Sequence, residues 1–297
     1  MAARRARRRR HLAPKPIHER IDKKTPTVLR CGRFRLPLDK PLIMGVVNIT
    51  PDSFSDGGRF FDRAAAIHHA RRLADEGADI VDIGGESTRP GAAPVPEQQE
   101  IDRVLPVLEG LQDLCVSVDT RRPAVMQAVA AAGASMINDV QALGEPGALE
   151  VLAKTQCAVC LMHMKGTPAT MQQAPHYDDV VGEVKAFLKE AVRKTMFAGI
   201  GADRIVIDPG FGFGKTASHN LEILRRLQEF RSLGVALLAG LSRKATIGHL
   251  TGRPVDQRLA GSLAMALLAV QGGATILRVH DVKETKDVIS IWQAFKA

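Results

Sequence analysis

Cysteine is scarce in this chain, with four in 297 residues, and so sparse a set gives no disulfide framework in a chain this long. Cys157 and Cys160 form a CxxC, but no second pair follows. On an apolar run such as CAVCLM, residues three apart fall on opposite faces of a strand, so buried thiols are expected instead of a shared metal. Aromatic residues are also few, at 4%, and none interleaves with the basic residues near the start, which argues against a base-stacking nucleic-acid surface. No apolar run approaches the roughly 18–20 residues of a membrane helix, and no signal-peptide apolar core follows the basic start. A soluble, cytoplasmic chain without a membrane partner is expected. A dinucleotide fingerprint, zinc-ligand spacing and a nucleophile with a base beside it are likewise missing, so positioning and leaving-group stabilisation are expected instead of covalent catalysis.

Charge is abundant but unevenly placed. The formal net charge is +9, yet residues 1–24 carry ten Lys or Arg against Glu19 and Asp22, so the remainder is close to neutral. Residues 1–27 read as a basic, disordered arm that would meet polyanions only nonspecifically. No specific nucleic-acid partner is expected. Residues 28–297, in a chain that is 45% apolar, suffice for one α/β domain.

What is present is a repeat. Eight short apolar runs each end in polar residues: 42–47 before NITPDSFSDGG, DIVDIGG before ESTRPGA, VSVD before TR, then MIND, LMHM, IVIDPG before FGFGK, LLAG before LSRK, and ILRVHD. Segments of helical period lie between them, at 62–76, 96–112, 123–132, 147–154, 177–198, 218–230, 256–271 and 282–295, and 28–38 reads as a leading strand or hairpin. Alternation of this kind demands a parallel sheet. ADEGAD, AAAGAS, FAGIGAD and VQGGAT place Gly where a left-handed stop returns each helix to a strand. Eight units predict closure into a (β/α)8 TIM barrel, with an open doubly wound sheet as the runner-up. A barrel gathers its strand-end loops on one face.

The residues so gathered are Asn48, Thr88, Arg89, Asp119, Asn138, Asp139, His163, Asp208, Lys215, Ser242, Arg243, Lys244, Arg278 and His280. Their cations suit an anionic group, and Arg278 and His280, two apart, fall on one strand face. Asn48 and Thr88 would add neutral oxygens for a phosphate-bound Mg2+. Asp119, Asn138 and Asp208 suit the edge of a flat, amide-like heterocycle. His163 reads equally as a core histidine, Asp208 also as a cap before Pro209, and GFGFGK lacks the spacing of a phosphate loop.

NITPDSFSDGG, GGESTRPGA, SVDTRRP, MINDV, LMHMKGTPATMQ, IDPGFGFGK, GLSRKATIG and RLAGSLAMALLAVQGGATILRVHDVKET together resemble the dihydropteroate synthases of folate biosynthesis, over residues 28–297 and in order. The resemblance implies condensation of 7,8-dihydropterin-6-ylmethyl diphosphate with 4-aminobenzoate, a requirement for Mg2+, inhibition by sulfonamides, and a homodimer through late helices, where LAMALLAV is apolar nearly all round. It implies Asn48 as metal ligand. Thr88, Asp119, Asn138, Asp208 and Lys244 would bind the pterin, Arg278 and His280 the diphosphate, and Met162 and Phe213 would line the pocket. Phe54, Arg89, Pro90 and Ser242, with Phe213, would hold aminobenzoate. Lys244, Arg278, His280 and Asp119 are the implied catalytic set. Two alternatives share the pterin edge: a folate-dependent methyltransferase, which would not need STRPGA and SRK, and a non-catalytic pterin-binding protein, which would not need Asn48, Lys244, Arg278 and His280.

Overall fold

Strand and helix alternate along the chain as the repeat predicts. The computed structural model describes residues 25–49, 59–86, 95–167, 170–171 and 174–296; Phe54, Thr88, Arg89, Pro90 and most of the basic arm lie outside these. A hairpin comes first, β1 (Val28–Cys31) against β2 (Phe34–Pro37). Eight parallel strands then close a barrel: β3 (Leu42–Asn48), β4 (Ile80–Gly84), β5 (Val116–Asp119), β6 (Met136–Asp139), β7 (Ala158–Met162), β8 (Ile205–Asp208), β9 (Ala236–Ala239) and β10 (Ile276–Val279), the last pairing with β3. The helices are α1 (Arg59–Asp75), α2 (Glu97–Glu109), α3 (Pro123–Ala131), α4 (Ala148–Ala153), α5 (Val180–Phe197), α6 (Ala217–Arg225), α7 (Ala245–Thr251), α8 (Leu259–Gln271) and α9 (Val282–Lys296).

Two departures from the sequence pattern have local causes. The segment 218–230 does not stay one helix; α6 ends at Arg225 and a 3-10 helix runs Leu227–Leu233. Leu227, Phe230 and Leu233 are all buried, and their spacing of three puts them on one face only at three residues per turn. The helix α7 in the long β9–α8 connection had no counterpart in the pattern. Its seven residues include Gly248 and Thr246, which weaken a helical signal in isolation.

The glycine stops act as expected. Gly77, Gly133, Gly199 and Gly273 have φ of 104°, 96°, 94° and 96°, a region costly for a residue bearing Cβ.

Side-chain parity separates two cores. Val159, Leu161, Ile205, Ile207, Leu237 and Leu277 face outward to the helices, whereas Ile80, Met136, Ala158, Cys160, Val206, Ala236, Leu238 and Ile276 fill the barrel. Leu29 and Cys31 of the hairpin join this interior cluster, and Gly32 N–H donates to the Gln156 carbonyl at 3.1 Å. The hairpin therefore plugs the end of the barrel where the strands begin. Cys157 and Cys160 belong to different cores, as their spacing predicts.

Candidate active site

Two residues beyond the last apolar interior position, the inward-facing residues become polar. Asp82 follows Ile80, Asn138 follows Met136, Asp208 follows Val206, Arg278 follows Ile276, and Asp119 stands beside them on β5. Strand pleating alone thus collects five chemical groups at the end opposite the hairpin, the end where barrel enzymes carry their sites.

Four of the five are joined by hydrogen bonds, and Asp208 meets Arg278 through charge alone. Arg278 Nε donates to Asp82 Oδ2 at 2.7 Å, and its Nη2 to Asp119 Oδ2 at 3.3 Å. Asn138 Nδ2 donates to the same Asp82 oxygen at 3.2 Å. Burial opposes the Arg278 charge, but Asp82 and Asp119 hold the guanidinium pKa above its ordinary value. Asp119 is pushed up to about 7 by burial, with Arg278 opposing and Asp82 adding to the rise. Burial also raises Asp208, whose Oδ1 accepts from Gly210 N at 2.7 Å. One oxygen of Asp208 caps its loop, as the cap reading expects, and the side chain keeps the inward parity.

Lys244 and Phe213 form the next part of the wall. Lys244 is the N-cap of α7, and its ammonium lies 4.4 Å from the centre of the Phe213 ring. Burial, and then Arg278, depress its pKa to about 8. Met162 ends β7 beside Asp208 in register and is 4% exposed. Asn48 ends β3, half-buried. Its side chain makes no hydrogen bond among the described residues.

His280 continues the inward parity of β10 and is held from below. Its main-chain N–H donates to Ser242 Oγ at 3.2 Å, and its Nδ1 lies 3.0 Å from that oxygen. We assign the hydroxyl proton to Nδ1, the tautomer in which the imidazole proton sits on Nε2. Burial, Arg278 and Arg243 lower the ring's pKa to about 4, so near neutral pH it offers an uncharged N–H.

Four of the gathered residues are not at the site. Asp139 has the outward parity, and its two carboxylate oxygens accept from Gln141 N at 2.8 Å and Leu143 N at 2.7 Å, capping its own turn. Lys215 is 2% exposed and is spent on His163 Nδ1 at 2.9 Å and the carbonyls of Gly210 and Phe213 at 3.0 Å each. With it, His163 is a core histidine. Arg243, at φ 56°, pairs with Asp281. The GFGFGK segment is a packing loop instead of a phosphate cradle: a Cβ at Gly210 would lie 1.9 Å from the His163 carbonyl, and one at Gly214 2.4 Å from that of Lys165.

Sequence reasoning missed Asp82. The second Asp in DIVDIGG, two residues from Ile80 on the inward parity, was the available signal. It also missed a cluster behind the site, where Glu86 Oε1 accepts from Val95 N at 2.9 Å and from Arg122 at 2.9 Å, and Arg122 also reaches Glu100 at 2.8 Å. Glu86 thereby links Val95 to Arg122 through one oxygen.

Comparison with known proteins agrees with this geometry. The family of pterin binding enzymes matches residues 44–280. A dihydropteroate synthase of Haemophilus influenzae is 50% identical over 262 residues, covering 87% of this chain and 95% of that one. The Xanthomonas albilineans dihydropteroate synthase solved with 4-aminobenzoic acid superposes with a TM-score of 0.87 at 55% identity, over 92% of this chain and 99% of that one. A Yersinia pestis dihydropteroate synthase in a sulfonamide complex gives 0.86 at 47% identity, over 91% and 99%. This chain belongs to the pterin-binding enzymes and, within them, to the dihydropteroate synthases.

Proposed function

We propose that the polar end of this barrel condenses 7,8-dihydropterin-6-ylmethyl diphosphate with 4-aminobenzoate, giving 7,8-dihydropteroate and pyrophosphate, with sulfonamides competing for the aminobenzoate position. The observation that carries this reading is the convergence of Asp119, Asn138, Asp208 and Arg278 on inward strand positions, with the Lys244 ammonium brought beside them from the start of α7. Carboxylates and an amide pair with the N–H and NH2 edge of a pterin, while the cations and the neutral His280 N–H face its anionic end. Ser242, bonded to His280, acts through it. Thr88, Phe54, Arg89 and Pro90 keep the roles that the resemblance implies.

The bond changes are simple. The arylamine nitrogen forms a bond to the pterin CH2 carbon, the C–O electron pair departs with the diphosphate, and one amine proton is lost. The protein's work is to hold the ring, oppose charge on the departing oxygens and exclude water. Asn48 offers a single neutral oxygen, and among the described residues no three His, Cys, Asp or Glu side chains group to hold a metal. That donor set fits Mg2+, which keeps several waters and favours phosphate oxygens. Held by Asn48 and the diphosphate, Mg2+ would neutralise the leaving charge.

The assembly we propose is a homodimer: α8 exposes Leu259 and Leu268, at 39% and 51%, beside Leu250 of α7, at 52%. We also place the chain in the cytoplasm; no helix among the described residues is long and apolar enough to cross a membrane. The deciding experiment is a turnover assay with Mg2+ and both substrates. Pyrophosphate release that requires aminobenzoate supports the reading, and absence of release, or release indifferent to aminobenzoate, overturns it.

A further inference from the structure

Asp82 is fully buried on β4, at 0% exposure, below the groups that would meet a ligand. One oxygen, Oδ2, accepts from both Arg278 Nε and Asn138 Nδ2. A carboxylate paired with a guanidinium only accepts, so the Asn138 amide must turn its NH2 toward Asp82. The two ends of an amide have nearly the same shape and opposite chemistry, and the flip decides what the site recognises. With the NH2 taken, Asn138 Oδ1 is left buried and without a partner among the described residues. Such an oxygen asks for a donor.

We propose that Asp82 is a positioning residue that sets the polarity of ring recognition: by fixing the flip of Asn138 and gripping the Nε edge of Arg278, it makes the pocket select a heterocycle edge that donates hydrogen bonds. This rests on the pterin reading above. A buried ion pair is weak evidence for stability, since an apolar replacement of the same volume is often as good. Fixing an amide is a role that apolar side chains of similar size do not supply.

The test compares the full-length wild type with Asp82→Ala and Asp82→Asn, using pterin diphosphate and its 2-oxo counterpart, which replaces the donor NH2 by an acceptor oxygen. Wild type should prefer the pterin. Asp82→Ala frees the amide, so the preference should shrink by about ten- to a hundredfold, with the loss in KM for pterin more than in kcat. Asp82→Asn keeps a carbonyl oxygen that accepts from both partners and should retain most of the preference. It should also shift the pH profile. Asp119 is faced by Arg278, Asp82, Asp139 and Glu100, of which the three acids raise its pKa; removing one of them should move the acid limb of kcat/KM to lower pH. That shift reports only the Asp82 charge beside Asp119; the preference between the two rings is the readout that a merely structural role would not move.

An unchanged preference in a folded Asp82→Ala protein overturns the proposal, as does loss of preference in Asp82→Asn. If Asp82→Ala fails to fold, the Asn variant decides alone: preference kept and limb shifted uphold the role, preference lost overturns it. A wild type that turns over neither ring would instead remove the pterin reading beneath it.

Discussion

Ser242 holds His280 twice through one oxygen, by the main-chain N–H at 3.2 Å and by ring Nδ1 at 3.0 Å. The hydroxyl therefore fixes both the height of the ring and its orientation. Ser242→Ala removes the acceptor and the donor together and leaves two polar groups without partners in a mostly buried place. We expect kcat/KM for pterin diphosphate to fall by about ten- to a hundredfold, with the fold intact by circular dichroism. Because burial holds His280 near 4, the ring should add no break of its own at the ordinary imidazole pKa near 6.5, and the acid limb of the wild-type profile belongs to Asp119, near 7. An unaffected Ser242→Ala rate would detach this pair from the reaction.

Lys244 gives a second pH signature. Its pKa is depressed from 10.5 to about 8, so the free protein loses this cation as pH rises through about 8. Affinity for pterin diphosphate should fall across the same interval. Lys244→Arg, which cannot deprotonate there, should remove that limb, and Lys244→Ala should weaken binding by about 2–5 kcal/mol at neutral pH. Calorimetric titrations at several pH values would show it, and a flat wild-type profile would place the ammonium away from the ligand.

The barrel was legible because its signals are periodic: apolar runs recur eight times over, and glycine stops such as Gly77 and Gly133 follow four of the intervening helices. The site was legible at strand ends and less so elsewhere. Asn138 and Asp139 are adjacent and chemically alike in the sequence, yet one faces the pocket and the other caps a turn; only the parity, counted from Met136, separates them. Lys215 and Lys244 both follow polar loops, but Gly210 and Gly214 bring the first against His163, a contact across two loops that local pattern does not encode. Asp82 was hidden by its apolar neighbours, since a single polar residue in a strand reads as an interruption. Its partners, Arg278 and Asn138, come from distant parts of the chain.

Arg122 should matter to stability more than its position on a helix cap suggests. It pairs with Glu86 and with Glu100, the latter only 1% exposed, and burial already raises Glu100 above its ordinary carboxylate pKa. Arg122→Met would leave two enclosed carboxylates without their main cation, a loss of about 3–5 kcal/mol. The sign of the pH effect follows. A carboxyl with a raised folded pKa takes up a proton on the folded side first, so the deficit is largest at pH 7 and shrinks as pH falls. Urea unfolding at pH 7 and pH 5 tests both parts, and an equal deficit at the two values would mean that Glu100 is not the group left exposed to the loss.

The last prediction concerns the metal. Asn48 supplies one neutral oxygen, and no three-residue group of His, Cys, Asp or Glu stands ready for an ion among the described residues. A single amide does not strip water from Mg2+, which dehydrates reluctantly and is commonly held by substrate phosphates. Mg2+ alone should therefore give no saturable heat with this protein at millimolar concentration, whereas Mg2+ with pyrophosphate should. Asn48→Ala should weaken that joint binding by about tenfold, the value of one lost ligand contact near 1.4 kcal/mol, while pyrophosphate binding without metal stays as it was. Tight binding of Mg2+ alone would locate a metal site elsewhere in the chain, and an Asn48→Ala protein with unchanged joint affinity would leave the ion to phosphate and water only.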